Sequence, residues 1–179
     1  DGHVVLPGLV DSHVHVNEPG RTEWEGFATA TAAAAAGGVT TIVDMPLNSI
    51  PATVDVEALR TKQRTARGRL AVDVAFWGGI VPGNLEALAE LAELGVVGFK
   101  AFMSNSGIED FPASDDLTLY EGMARAAKLG RIVAVHAEND AINALTLFEN
   151  LDPILDQEGT RAAYRLECDI LPMVLEMRR

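Results

Sequence analysis

Residues 7–15 read PGLVDSHVH, an apolar run that ends in two histidines separated by one residue. In an extended strand, residues i and i+2 lie on the same face, with Cα atoms roughly 6–7 Å apart. The imidazoles of His13 and His15 can therefore bind one metal ion, and neutral imidazole is the commonest side-chain metal ligand. The structural alternative is that one histidine ends the strand while the other faces solvent.

The composition is that of one globular domain. The 179 residues are 48% hydrophobic and 22% charged, with a formal net charge of −12, and this length suits a single domain. The negative charge argues against a nucleic-acid partner, and no stretch reaches the roughly 18 apolar residues of a membrane span. The single cysteine, Cys168, excludes an internal disulfide, and the lack of an N-terminal signal segment predicts a cytoplasmic protein.

Apolar strands alternate with helix-length segments along the chain, a pattern typical of buried parallel strands in an α/β protein. The predicted strands are residues 4–15, 40–45, 70–78, 96–102 and 132–138. The predicted helices are residues 24–36, 56–66, 85–94, 117–129 and 141–148, with Asn84 and Asp116 as expected N-caps. About five β-α units indicate either a TIM-type barrel or a doubly wound sheet, and periodicity does not choose between them.

Side chains able to do chemistry collect where the predicted strands end, which is where α/β folds place their sites. Three of the four histidines, His13, His15 and His136, lie at such ends, while His3 precedes the first strand and is expected at the surface.

Lys100 lies inside the apolar fourth strand, where a charge is costly without a partner. It either reaches the rim or pairs with a carboxylate, or it is desolvated, with a lowered pKa. A desolvated lysine can react with carbon dioxide to form a carbamate, which is an anionic metal ligand.

Three further polar residues near the strand ends are candidates for a structural or a functional role. Asp11 could orient an imidazole from the second coordination shell or make a local turn. Asp44 and Asn48 flank a proline after the second strand, where Asn48 could hydrogen-bond a substrate and Asp44 is expected to fix the loop.

Taken together, these residues resemble the amidohydrolase superfamily, and within it the cyclic amidohydrolases that include dihydroorotase, dihydropyrimidinase and allantoinase. The resemblance covers residues 5–140, and the opening run 7–15 is shared across the superfamily. Three narrower stretches are similar to allantoinases: residues 17–27, 37–41 and 45–54. The resemblance implies a metal-dependent (β/α)8 barrel of the TIM type, of which residues 1–140 would be the N-terminal part.

The resemblance implies a binuclear zinc site. In it His13 and His15 hold one Zn²⁺, Lys100 bridges both ions as its carbamate, and His136 binds the second. It also implies a homo-oligomer, a tetramer in the family, acting on a small cyclic ureide.

The substrate is expected to be uncharged. Dihydroorotase-like sequences carry an arginine two residues after the second histidine, where it pairs with the substrate carboxylate, but this chain has Asn17 there. Asn17 and Asn48 are the expected substrate-binding residues. The resemblance therefore implies hydrolysis of allantoin to allantoate in purine catabolism, and dihydropyrimidine, hydantoin or dihydroorotate hydrolysis is the alternative.

Part of the family pattern is not found in this sequence. The family's sixth-strand histidine and its eighth-strand aspartate, the general acid and base, have no counterpart, since no histidine follows His136. No catalytic residue is therefore assigned. Residues 141–179 are expected to form a divergent helical tail, and the chain is expected to be an N-terminal fragment that could be catalytically silent alone.

Overall fold

The computed structural model describes residues 2–138. The strands are β1 (Leu9–Val14), β2 (Val39–Asp44), β3 (Asp73–Phe76), β4 (Gly78–Gly79), β5 (Gly98–Phe102) and β6 (Ile132–His136). The helices are α1 (Phe27–Ala36), α2 (Val56–Ala66), α3 (Leu88–Glu93), which follows a 3-10 turn at Leu85–Ala87, and α4 (Asp116–Lys128). The predicted helix at 141–148 and the predicted tail at 141–179 lie outside the described residues.

The strands are parallel and follow one another in chain order. One sheet has the order β1-β2-β3 and the other the order β4-β5-β6. Only Trp77 separates β3 from β4, and its N–H donates to the Asp44 carbonyl at 2.9 Å. The strand of residues 73–79 therefore leaves its neighbour β2 and joins β5 within a few residues.

The strand order bears on the two folds that the sequence left open. A doubly wound sheet reverses its strand order at a switch point, whereas a barrel adds each new strand beside the last. Within residues 2–138 every pairing joins two strands that are consecutive in the chain, and no reversal occurs. The described part is therefore a partial α/β fragment with parallel strands in chain order. No helix in this part has the length and apolar character needed to cross a membrane.

The strand boundaries differ most from the prediction in the first and third predicted strands, and the other predicted strands differ by one or two residues at an end. The first strand begins at Leu9 rather than Val4, because β2 starts at Val39 opposite Leu9 and the earlier residues have no partner strand within the described part. The predicted third strand, residues 70–78, is shorter at its start and broken at Trp77. At this break the chain stops pairing with β2 and begins to pair with β5.

The helix N-caps show where local sequence signals succeed and fail. Asp55 caps α2 by accepting from the Ala58 N–H, and the α2 bounds agree with the prediction. The predicted cap Asp116 is wrong, because Asp115 is the cap and accepts from the Thr118 N–H at 2.7 Å. Asn84 precedes the 3-10 turn but makes no cap bond; its side chain accepts from the Val81 N–H instead.

The first helix begins three residues later than predicted, at Phe27 rather than Trp24. Its first free N–H, that of Phe27, donates to the buried Glu18 carboxylate at 2.9 Å. A carboxylate at a helix N-terminus satisfies an otherwise unpaired donor and is favoured by the helix dipole. The start of α1 is thus set by a residue nine positions earlier.

Trp77 fills the space above Gly98 on β5. A Cβ atom on Gly98 would lie 2.6 Å from the Trp77 ring and 2.7 Å from the backbone oxygen of Ile132. The buried indole belongs to an apolar cluster at the ends of β2 and β4 that also contains Val43, Met45, Leu47, Ala52, Val81 and Phe111. A glycine at position 98 is therefore what lets the indole lie against β5.

Replacing Gly98 with alanine is expected to lower the free energy of unfolding by about 1–3 kcal/mol, the usual cost of overpacking a core. Backbone on one side and a rigid ring on the other leave the added methyl no room. Urea denaturation measures the change. Gly37→Ala is the matched control, because its Cβ would meet nothing closer than 3.5 Å; equal midpoints for the two variants would contradict the packing described.

Candidate metal and substrate site

The two histidines lie at a bulge at the end of β1. Asp11 pairs with Ile42 and Val14 with Asp44, so two residues of β1, Ser12 and His13, oppose one residue of β2. Bulges bend a strand and redirect its side chains, and they are common beside active sites. The rings of His13 and His15 lie 5.4 Å apart between centroids, tilted by 50°. They share one side of the strand, as the spacing predicts.

Three backbone contacts hold this strand end. The Ser12 carbonyl accepts from the indole N–H of Trp77 at 3.0 Å, and the Val14 carbonyl accepts from the Met45 N–H at 2.7 Å. The Val16 N–H donates to the Asp44 carboxylate at 2.7 Å. These contacts fall on residues 12, 14 and 16, which alternate with the two histidines. Asp11 makes a local contact, because its carboxylate accepts from the His13 N–H.

His15 presents a buried ring nitrogen. Its Nδ1 is buried and has no hydrogen-bond partner among residues 2–138. Burial lowers the pKa of His15, and His13, Lys100 and Lys62 lower it further, while the Leu47 backbone acts the other way. The lowered pKa favours the neutral form of the ring, which is the form that coordinates metals.

Lys100 lies on β5, and its side chain is buried, with only 4% of its surface exposed. Among residues 2–138 its ammonium has no carboxylate partner and lies 5.1 Å from the centre of the Phe102 ring. Burial lowers the pKa of Lys100, and its charge acts on His15. Neither of the two ordinary outcomes for a strand lysine, exposure at the rim or pairing with a carboxylate, is observed in this part of the chain.

His136 ends β6 and lies next to the Lys100 strand. Its ring stacks on Phe102, with centroids 4.6 Å apart and planes within 8° of parallel, and its Nε2 lies 2.9 Å from a Glu138 oxygen. Phe102 thus contacts both Lys100 and His136. In the described residues no group of three or more His, Cys, Asp or Glu side chains lies close enough to bind a metal ion. The structure brings together the His13–His15 pair, with Lys100 acting on it, and places His136 against Phe102.

A buried ion pair supports the end of β2. Asp44 is fully buried, and one of its oxygens lies 2.8 Å from the Lys62 ammonium, which is 1% exposed. Lys62 also donates to the Met45 carbonyl at 3.0 Å. Asp44 fixes the chain after β2, as predicted, and through Val16 it also fixes the chain after His15.

The predicted substrate residues lie in two loops joined by Arg21. Asn17 is buried, and its side-chain oxygen has no hydrogen-bond partner in the part of the chain that the structure describes. Asn48 is half-buried with a φ of 79°, and its carbonyl accepts from the Arg21 guanidinium at 3.4 Å. The guanidinium also lies over the Trp24 ring. Glu18, next to Asn17, is paired with Arg69.

Sequence reasoning missed Lys62 and Trp77. Lys62 had a detectable signal, because it falls on the same helical face as Leu59 and Ala66, where apolar residues recur every three to four positions. A lysine on that face needs a buried partner. Trp77 had no such signal, since its partner Ser12 lies 65 residues away.

The family profile described as Dihydro-orotase-like matches residues 2–150. Allantoinase from Solibacter usitatus is 59% identical over 143 residues, which cover 80% of this chain and 31% of the relative. Allantoinase from Bacillus velezensis is 45% identical and covers 100% of this chain and 40% of the relative. Allantoinase from Arabidopsis thaliana is 54% identical and covers 75% of this chain and 27% of the relative. The chain thus spans about a third of the length of these curated relatives.

Solved structures of similar fold carry related names. L-hydantoinase (dihydropyrimidinase) from Arthrobacter aurescens superposes with a TM-score of 0.71 at 36% identity, over 86% of this chain and 33% of that one. D-hydantoinase from a Bacillus species, AR9, superposes with a TM-score of 0.63 at 32% identity, over the same shares of both chains.

Proposed function

Because the chain belongs to the dihydro-orotase-like family, we propose that it carries the N-terminal half of a cyclic amidohydrolase site that opens the hydantoin ring of allantoin to give allantoate. One observation carries the proposal. A neutral imidazole with a free buried nitrogen, on His15, lies within the electrostatic reach of a buried lysine, Lys100, that has no carboxylate partner in the described chain.

The residues present fit a metal centre. Two imidazoles on one strand end are a preformed pair of nitrogen ligands for Zn²⁺, and the His15 Nδ1, which has no hydrogen-bond partner in the described chain, supports this use. We propose that His13 and His15 would hold one ion, that His136 would hold a second, and that Lys100, as its carbamate, would be a ligand to both. The burial that lowers the pKa of Lys100 favours the neutral amine, which is the form that adds to carbon dioxide.

When bound, the two ions supply Lewis acidity, which makes water nucleophilic near neutral pH and polarises the ring carbonyl. This chain's own side chains would bind and orient the substrate. Asn17 offers a buried oxygen that has no partner within residues 2–138 and is suited to accept a hydrogen bond from a ring N–H of the substrate. Asn48 would contact the ring from the neighbouring loop, which Arg21 ties to the Asn17 loop.

The substrate assignment rests on Asn17 and on the relatives. An uncharged amide has no positive charge to pair with a carboxylate, so dihydroorotate is disfavoured relative to a neutral ring. Relatives named allantoinase share 45–60% identity with this chain. Hydantoin hydrolysis is the second candidate, favoured by the superposition with hydantoinases.

The test compares substrates on a chain extended to the length of the curated relatives. We expect zinc to copurify with it, and we expect hydrolysis of allantoin to exceed that of hydantoin and of dihydroorotate by at least about tenfold in kcat/KM. Allantoate formation and metal analysis give the readouts. A preference for hydantoin would overturn the substrate assignment, whereas a zinc-free and fully active enzyme would overturn the proposed metal site.

The 179-residue chain serves as the comparison in this assay. If it binds zinc without hydrolysing allantoin, the described residues hold metal but lack the proton-transfer groups. Turnover at the rate of the extended chain would rule out the catalytically silent alternative.

A further inference from the structure

We propose that Trp77 is a positioning residue for the His13–His15 pair, acting through its indole N–H on the Ser12 carbonyl. The inference rests on the proposed metal site, but its physical basis is separate from the ligands. It concerns the backbone oxygen of a residue inside the β1 bulge.

The bulge in β1 interrupts the pairing with β2 immediately before the first histidine. Asp11 and Val14 have partners in β2, but Ser12 and His13 together face a single residue there. A carbonyl released from its ladder must find another donor or water, since an unpaired polar group carries a desolvation cost. The Ser12 carbonyl finds the Trp77 N–H at 3.0 Å.

Trp77 is well placed to give this support because it is itself rigid. It is 5% exposed, and its ring packs against Gly98 on β5, two residues before Lys100. Its backbone N–H donates to the Asp44 carbonyl, at the end of β2. The Trp77 side chain thus contacts β1, which carries His13, and β5, which carries Lys100. Trp77 itself lies between these two strands along the chain.

The support is also specific to the bulge. The contacts at Val14 and Val16 lie beyond the first histidine. On the N-terminal side of His13, the Asp11 carboxylate accepts from the His13 N–H, and the Trp77 contact holds the Ser12 carbonyl. Without it, we expect the two residues of the bulge to move and the imidazole of His13 to lose its fixed separation from His15.

Native-state hydrogen exchange of the metal-free 179-residue chain tests the inference. In W77F, exchange of the Val16 and Met45 amides should accelerate at least about tenfold more than that of the Ile80 and Met103 amides. The first two are hydrogen-bonded at the histidine segment, whereas the last two pair with β5 and β6 residues. Trp24→Phe removes the exposed tryptophan and is the matched control, for which no difference is expected.

Cobalt binding provides the second readout, by titration with Co²⁺ and by its visible absorption spectrum. We expect W77F to bind Co²⁺ about 10–100-fold more weakly than Trp24→Phe, the range seen when groups that orient metal ligands are removed. An altered absorption spectrum should accompany the loss, because the spectrum reports ligand geometry rather than global stability.

The outcomes separate the inference from the proposed function. Uniform acceleration of all four amides, or unchanged Co²⁺ affinity and spectrum, would reduce Trp77 to a packing residue and overturn the inference. If no variant binds Co²⁺, the proposed metal site fails and the exchange pattern alone decides the inference. Should W77F not fold, 3-benzothienylalanine at position 77 keeps the shape of the side chain and removes the donor, with the same expected results.

Discussion

Lys62→Met is expected to lower the free energy of unfolding by about 3–5 kcal/mol, because it leaves the buried Asp44 carboxylate without its counter-ion. Both partners of this pair are almost completely removed from solvent, with 2.8 Å between nitrogen and oxygen. Methionine keeps the length and apolar stem of lysine, so the lost charge dominates the change. Equilibrium urea denaturation gives the free energy.

The same helix supplies the control. Arg64 pairs with Glu57 at 2.7 Å, but both side chains are more than half exposed, and such surface pairs contribute about 0–1 kcal/mol. Arg64→Met should therefore change stability by less than about 1 kcal/mol. Similar losses for the two variants would show that the burial of the Lys62 pair does not matter.

A double variant, Asp44→Asn with Lys62→Met, separates the stranded charge from the lost contacts. Burial raises the pKa of Asp44, and Lys62 opposes that rise. In K62M the folded-state pKa of this carboxyl therefore lies above its unfolded value of about 3.9. A carboxyl whose pKa is raised in the folded state lowers the free energy of unfolding at pH values above that pKa. It no longer does so at pH values below the unfolded-state pKa. The deficit of K62M relative to the double variant should shrink as the pH falls through that range.

His13→Ala is expected to weaken zinc binding by more than about 100-fold, since removal of groups that only orient a ligand already costs 10–100-fold. The His13 side chain is exposed, so its loss should change the free energy of unfolding by no more than about 0.5 kcal/mol. Competition with a chromophoric chelator measures the affinity, and denaturation of the metal-free chain confirms the fold.

His3→Ala is the control for this experiment, because His3 is also exposed but lies outside the histidine pair. It should bind zinc as the unaltered chain does. Equal affinities for the two alanine variants would remove the His13–His15 pair from the metal site.

Periodicity was sufficient to predict most of the fold. The apolar strands and amphipathic helices of residues 9–136 were predicted in the right order, and the bounds of α2 were correct. These elements follow from repeats of two and of about 3.6 residues, which are local properties. The pairing of the strands in chain order was not a local property, because it depends on which strand each new strand joins.

The same distinction between local patterns and contacts of distant residues holds at the candidate site. His13 and His15 were predicted to share a side because strand alternation is local, and their rings lie 5.4 Å apart. The bulge beside them, the contact of Asp44 with Val16, and the indole beneath Ser12 join residues that are distant in sequence. No periodic pattern encodes such contacts. The ligand roles of Lys100 and His136 and the substrate roles of Asn17 and Asn48 stay predictions.

The strand order also bears on how the site is assembled as the chain is made. Every hydrogen bond described here from the histidine-bearing segment is to a residue no later than Trp77. Chains emerge from the ribosome N-terminal end first, and their early parts begin to fold as they do. The histidine-bearing segment and its hydrogen-bond partners can thus be in place before Lys100 is synthesised, so translation order and assembly order coincide, and later strands dock onto a finished edge.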